Sequence, residues 1–252
     1  MLNNKIQKVI HYIWLGGNPL PKIAEKCIES WKKFCPDYEI KRWDESNLDV
    51  NKYQYTKDAY EAKKYAFVSD VFRTEILFNE GGIYFDIDVE LLKPIDNILE
   101  NVDCVMGFET SNLLNPGLFV ASKKGNEDLK NILEIYKTLK FDINNLINLT
   151  VCEIYTKYYE TKGLTRENKP QQIEQTIFYA SEYFSPKSLT DGKLRKTENT
   201  YTIHHYCASW VKKSTKFKQK ILQMIKRILG PKLVQKIKNK RNKNESTSSS
   251  SK

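Results

Sequence analysis

Apolar residues recur along the chain with two periods, and the alternation between them predicts an α/β architecture. Val9, Ile10, Ile13 and Trp14 lie in a short run, KVIHYIWLGG, that stops at Gly16-Gly17-Asn18-Pro19, the pattern of a strand and a turn. Ile23, Cys27, Ile28, Trp31 and Phe34 then recur at helical spacing, with Pro21 near the start of the segment. A second strand follows at YEIKRWD, and strand, helix, strand with short joins predicts a parallel βαβ unit. From Asp58 to Asn79 the spacing of Ala62, Ala66, Val68, Phe72, Ile76 and Leu77 predicts one continuous helix, stopped by Gly81-Gly82. Strands at CVMGFE and TYTIHHY, an apolar segment GLFVAS and a helix over EDLKNILEIYKTL complete the alternation, with no internal repeat.

One stretch resists this pattern. GGIYFDIDVELLKP, Gly81 to Pro94, puts Asp86 and Asp88 inside a predicted strand. Alternation sends Tyr84, Asp86, Asp88 and Glu90 to one face, and Ile83, Phe85, Ile87 and Val89 to the other. The apolar face packs on a helix layer. The acidic face carries two repelling carboxylates that need a counter-charge, and a divalent cation supplies one. Mg²⁺ or Mn²⁺ prefers oxygen ligands and completes its shell with water and phosphates, so this Asp-x-Asp suits a nucleoside diphosphate. A half-exposed strand with solvated acids is the plainer alternative.

Charge divides the chain. The formal charge is +10, yet Val211 to Lys252 holds fourteen Lys and Arg against one acid, Glu245. Residues 1–210 hold 27 basic and 30 acidic residues, so the basicity belongs to the tail. In that tail Phe217, Ile221, Leu222, Met224, Ile225, Ile228 and Leu229 form an apolar stripe opposite Lys216, Lys220, Lys226 and Arg227. The expected organisation is a catalytic domain over 1–210, a basic amphipathic helical tail over 211–244 and a disordered Ser-rich end over 245–252. Five scattered cysteines without C-x-x-C spacing argue against a disulfide framework or a zinc site and fit a reducing cytoplasm. No stretch approaches the ~20 apolar residues of a spanning helix, and no signal-like segment opens the sequence. The expectation is a chain neither secreted through a signal nor embedded in a membrane.

Further candidates flank the acidic pair. Asp70 and Arg73 sit at i, i+3 on the helix before it, near Ser69 and Lys64. TIHHYCASW brings His204 and His205 onto a predicted strand, pointing in opposite directions, with Ser209 and Trp210 beyond. The alternatives are an intrahelical salt bridge and a structural histidine.

The runs HYIWLGG, AFVSDVFRTEILFNEGGIYFDIDVELLKP, YFSPKS and TENTYTIHHYCASW, in this order over roughly residues 5–210, resemble family 32 glycosyltransferases with a DXD sugar-binding motif. That family includes capsule and exopolysaccharide sugar transferases and initiating mannosyltransferases, with the glucosylating toxins more distant. The resemblance implies a GT-A fold, a Rossmann-like mixed sheet, with a nucleotide-sugar donor, Mn²⁺ or Mg²⁺, and retention of configuration. It implies that Trp14 stacks on the base, that Asp70 and Arg73 hold sugar hydroxyls and phosphate, and that Tyr84 lies beside ribose or sugar. Asp86 would contact ribose or sugar and, through water, the metal; Asp88 would bind the metal directly. Asn115, in LLNPGL, would face the donor sugar. His204 or His205 would approach the metal, and Ser209 and Trp210 would close over the phosphates. Asp86, Asp88, Arg73 and Asn115 form the expected catalytic set.

The implied donor is a UDP-hexose, UDP-Gal or UDP-Glc, ahead of GDP-mannose, and the acceptor a saccharide or lipid-linked saccharide. A double displacement would require a carboxylate beneath the anomeric carbon, with Glu109 the candidate. Otherwise the acceptor attacks on the leaving-group face. The tail, 212–243, suits an anionic membrane surface, so the expected location is the cytoplasm, peripheral to the inner face of a bacterial membrane. Two rival readings are a nucleic-acid-binding protein acting through this tail and a metal-dependent phosphoesterase built on Asp86 and Asp88. The acidic character of 1–210 and the tail's aliphatic stripe disfavour nucleic acid.

Overall fold

Strands β1 (Val9–Ile13) and β2 (Glu39–Trp43) flank helix α1 (Lys22–Phe34) and pair in parallel, as the βαβ pattern predicts. The computed structural model describes residues 5–109, 112–187 and 192–206. Cys207, Ser209, Trp210, the basic tail and the Ser-rich end lie outside the described residues. Two units divide the chain, Met1–Lys187 with Arg195–Cys207 and Ser188–Leu194 with Ala208–Lys252; only 192–194 of the second are described, and the first carries the fold.

After β2 come α2 (Gln54–Glu61), α3 (Tyr65–Glu80), β3 (Gly82–Tyr84), β4 (Val89–Leu91), β5 (Cys104–Gly107) and β6 (Val120–Ser122). Then follow α4 (Glu127–Thr138), α5 (Val151–Glu160), β7 (Gln171–Ile173), β8 (Thr176–Tyr179), α6 (Ser181–Phe184) and β9 (Thr202–His204). Seven strands form a mixed sheet in the order β2-β1-β3-β6-β5-β8-β7, and β4 pairs with β9 in a separate ribbon. Alternate residues of the central strands feed two cores, which is how a sheet covered on both faces is built. Tyr84, Cys104, Met106 and Val120 pack with α2 to α5, while Ile83, Val105 and Ala121 pack with Trp31 and Cys27 of α1. Cys27, Cys35, Cys104 and Cys152 form no disulfide.

Two predicted elements divide. The continuous helix over 58–79 is α2 and α3, broken at Ala62–Lys64, where Lys63 adopts φ 55°. Position 63 is four residues after buried Ala59 and four before buried Phe67, on the stripe that an unbroken helix would bury. A lysine there would lose its hydration, and the break leaves Lys63 exposed. The predicted strand over 81–90 is likewise interrupted. β3 stops at Tyr84, a turn closes with the Val89 N–H donating to the Asp86 carbonyl at 3.0 Å, and β4 leaves to join β9. Strand alternation therefore does not order Asp86, Asp88 and Glu90.

The Gly81-Gly82 pair sets where β3 begins. Both residues have positive φ, 73° and 98°. A Cβ at 81 would meet the Gln7 side chain and the Lys124 amide, and one at 82 would lie 2.7 Å from the Val9 carbonyl. His11, wholly buried on β1, donates from Nε2 to the Gly81 carbonyl at 2.9 Å, while its Nδ1 accepts from the Trp43 indole at 3.1 Å. These two partners fix one neutral tautomer. Burial lowers the His11 pKa, against the Gly81 carbonyl, Glu80 and Glu39, which raise it, and with Lys41, which lowers it. The folded protein thus binds this proton less readily than the unfolded chain, so His11 stabilises the fold above pH 6.5 and that contribution is lost as pH falls below it. Urea unfolding of wild type and His11→Gln from pH 7 to about 5 checks this: the stability difference between them shrinks as pH falls.

Candidate active site

The parallel strands β1 and β3 deliver Trp14 and Asp86 to the same end of the sheet, the end where α/β sheets bind ligands. The turn after β3 then brings Asp86 and Asp88 together. Asp88 is anchored because β4 and β9 run antiparallel with Val89 opposite His204, and the His205 N–H donates to the Asp88 carbonyl at 3.0 Å. That register places His204 Nε2 3.0 Å from Asp88 Oδ1. One ligand atom from each of Asp86, Asp88 and His204 lies within 4.8 Å of the others. Two carboxylates and an imidazole, with Asp88 and His204 both buried, fit a divalent cation such as Mn²⁺ or Mg²⁺.

The histidine pair separates as strand alternation requires. His204 faces the acidic pair, whereas His205 Nε2 lies 2.8 Å from Glu90 Oε2, which also accepts from Lys26 at 2.9 Å. Burial lowers the His204 pKa, but the charge and hydrogen bond of Asp88, with Asp86 and Glu109 beyond, raise it further than burial lowers it. The next residue but one, Tyr206, holds φ 52°; its ring lies 4.1 Å from the His204 ring and its hydroxyl 2.7 Å from Ser185 Oγ.

Asp86 rests on a buried cation. Arg73, 3% exposed, reaches Asp70 Oδ1 at 2.9 Å and Asp86 Oδ1 at 3.2 Å with the same Nη2. Its guanidinium stacks over the Tyr84 ring at 4.7 Å, and the Tyr84 hydroxyl donates to Asp86 Oδ1 at 3.2 Å. Burial pushes the Asp70 carboxyl up to about 7, against the opposing charge of Arg73 and a Val151 amide at the start of α5. Asp70 and Arg73, the residues expected to contact a donor, are buried and paired with one another, and Arg73 also pairs with Asp86.

The remaining candidates fall as follows. Trp14 is half-buried and its indole donates to the Asn18 carbonyl at 2.6 Å. Asn115 is buried with both ends of its amide engaged: Oδ1 accepts the Gly117 N–H at 2.9 Å and Nδ2 donates to Glu109 Oε2 at 3.0 Å. Ser209 and Trp210 lie outside the described residues. Sequence reasoning does not single out Gly117, whose carbonyl accepts the Asp86 N–H at 3.1 Å. The Asn-Pro-Gly turn that creates this contact is the signal for it.

Residues 21–104, about a third of the chain, match the model of the glycosyltransferase sugar-binding region containing a DXD motif. This stretch is similar to the DXD sugar-binding region of glycosyltransferases. Its DXD is Asp86-Ile87-Asp88. The domain is similar in fold to PaToxG glycosyltransferase, with a TM-score of 0.50 and 21% identity over 63% of this chain and 70% of that one. The glycosyltransferase involved in glycosylation of the major capsid of PBCV-1 aligns more loosely, at a TM-score of 0.44 and 13% identity, over 86% of this chain and 99% of that one. In sequence, 117 residues are 28% identical to Subversion of eukaryotic traffic protein A of Legionella pneumophila subsp. pneumophila, covering 36% of this chain. The chain spans 18% of the length of that relative. The architecture is that of GT-A glycosyltransferases, as the sequence resemblance implies.

Removing Arg73 leaves buried Asp70 and half-buried Asp86 without their shared cation. Arg73→Met is expected to lower unfolding free energy in urea by about 3–5 kcal/mol. Arg73→Lys, which keeps the charge without the planar fork, falls between it and wild type.

Proposed function

We propose that this domain transfers a hexosyl group from a nucleoside diphosphate sugar to an acceptor hydroxyl, with Asp86, Asp88 and His204 holding Mn²⁺ or Mg²⁺. The observation that carries this reading is the convergence of those three side chains within 4.8 Å, two of them, Asp86 and Asp88, in the stretch that matches a DXD sugar-binding region. The cation, when bound, neutralises charge that develops on the departing diphosphate. Asp88 and His204 are the buried ligands, and Asp86 is the more exposed one, placed to meet the donor as well. Arg73 and Tyr84 orient Asp86, so the carboxylate need not reorganise as the donor arrives.

Retention of configuration by attack on the leaving-group face is the reading we adopt. The acceptor oxygen forms its bond to the anomeric carbon as the bond from that carbon to the β-phosphate oxygen breaks, and the acceptor proton passes to the departing phosphate. Glu109 is already bonded by Asn115, which disfavours it as a nucleophile in a double displacement. Within this reading the donor is a UDP-hexose, galactose or glucose, and the acceptor a saccharide carried on lipid, in capsule or exopolysaccharide synthesis. The basic stripe of 212–243 motivates the lipid assignment, because each Lys or Arg near an anionic surface contributes about 1 kcal/mol. Residues 1–210 would be the catalytic part, working in the cytoplasm on the inner face of a bacterial membrane. No helix among the described residues is long and apolar enough to cross a membrane.

Purified protein incubated with Mn²⁺ and a panel of UDP- and GDP-sugars, with and without saccharide acceptors, should release nucleoside diphosphate from one donor. Asp88→Ala and His204→Ala should abolish the release and His205→Ala should retain it; equal activity of His204→Ala and wild type would remove the imidazole from the proposed metal site. Flotation with vesicles containing anionic lipid tests the tail: full-length protein should float, and a chain ending at Trp210 should not.

A further inference from the structure

We infer that Gly117 is a positioning residue for Asp86, and that the bare α-carbon at 117 is what lets this carboxylate stand where a cation can use it. The inference rests on the transferase reading and deepens it. Gly117 lies on the tight turn closed by the Leu118 N–H donating to the Asn115 carbonyl at 3.0 Å. This turn grips Asp86 through the main chain, since the Asp86 N–H donates to the Gly117 carbonyl at 3.1 Å. Asn115 in turn fixes Gly117, accepting its N–H at 2.9 Å while donating to Glu109 at 3.0 Å. One hydrogen-bonded chain therefore runs from Glu109 through Asn115 and Gly117 to Asp86.

The requirement at 117 is one of space. A Cβ on this residue would lie 2.3 Å from Asp86 Oδ2 and 3.0 Å from Arg73 Nη1. Gly117 is not among the residues with positive φ, so its backbone conformation is open to other amino acids. A carboxylate on a free side chain would swing aside from an added methyl at little cost. Asp86 Oδ1, however, is tied to Arg73 Nη2 and to the Tyr84 hydroxyl, both at 3.2 Å, and swinging aside breaks both contacts. Arg73 has no room to retreat, being 3% exposed and held by Asp70 and the Tyr84 ring. The least confined partner is Asp86, whose side chain is 30% exposed, so it is the one that yields, and its carboxylate leaves the position in which it stands within 4.8 Å of the Asp88 and His204 ligand atoms. A methyl group at 117 thus damages the cation site more than it damages the fold.

The test measures Mn²⁺ binding, from the electron paramagnetic resonance signal of the free ion, together with melting temperature. Wild type, Gly117→Ala, Asp86→Ala and the double variant are compared. Gly117→Ala is expected to weaken Mn²⁺ binding about tenfold or more, the loss seen when groups that orient a metal ligand are disturbed. It should also lower the melting temperature slightly, and in the Asp86→Ala background, where only the 3.0 Å approach to Arg73 Nη1 remains, it should lower it less. Equal Mn²⁺ affinity of wild type and Gly117→Ala overturns the inference and leaves the transferase reading standing. If wild type binds no Mn²⁺, that reading falls, and coupling of the two substitutions in melting temperature decides the role of Gly117, its absence being a refutation. Should Gly117→Ala fail to fold, folding of the double variant supports the inference, and failure of both overturns it.

Discussion

A single buried guanidinium holds the site together. Arg73 lies between Asp70 and Asp86, with Nη2 within 2.9 Å and 3.2 Å of the two carboxylates and the plane of Tyr84 beneath it. Burial raises the Asp70 carboxyl, and Arg73 is the opposing charge that acts against this. Burial works against the cation as well, yet Asp86, Tyr84 and Asp70 together raise its pKa and keep it charged. The helix α3 that carries Asp70 and Arg73 is thereby fastened to the segment after β3, and the DXD is held as part of the core.

Two other constraints fix where that core ends and the site begins. His11 and Trp43 tie the starts of β3 and the end of β2 to the middle of β1, so three adjacent strands share one frame. The glycine pair at 81 and 82 permits the close approach of those backbones. On the far side, β4 leaves the main sheet to meet β9, and the acidic turn sits at the junction. Asp86 belongs to the sheet side of this junction and Asp88 to the ribbon side. The site is formed where the two sheets diverge.

Much of this was legible in the chain. The first βαβ unit, α4 and the strand carrying the histidines follow from periodicity and turn residues, because local signals and tertiary packing agree there. The break between α2 and α3 was not, since Ala62-Lys63-Lys64 contains no glycine or proline and the cause is the burial of Ala59 and Phe67 on either side. Helix α5 escaped the apolar pattern, yet Thr150 and Glu153 are spaced as a capping box, and Thr150 does accept the Glu153 N–H at 3.4 Å. The contact of Arg73 with Asp86 joins residues in different elements, and the selection of His204 over His205 requires the register of β4 against β9. No local pattern encodes either. The paired aspartates declared the chemistry, and only the tertiary structure named their partners.

The β4–β9 pairing carries a consequence in time. Val89 meets His204 across more than a hundred intervening residues, so the contact that completes the acidic turn has a high sequence separation and forms late. Synthesised from the N-terminus, the chain presents Asp86 and Asp88 long before the histidine strand exists, with Arg73 as the cation near Asp86 in that interval. The arrival of His204 beside Asp88 is therefore a report that the elements before β9 have folded, and a nascent or clipped chain lacking β9 would have a sheet and an acidic turn without that imidazole.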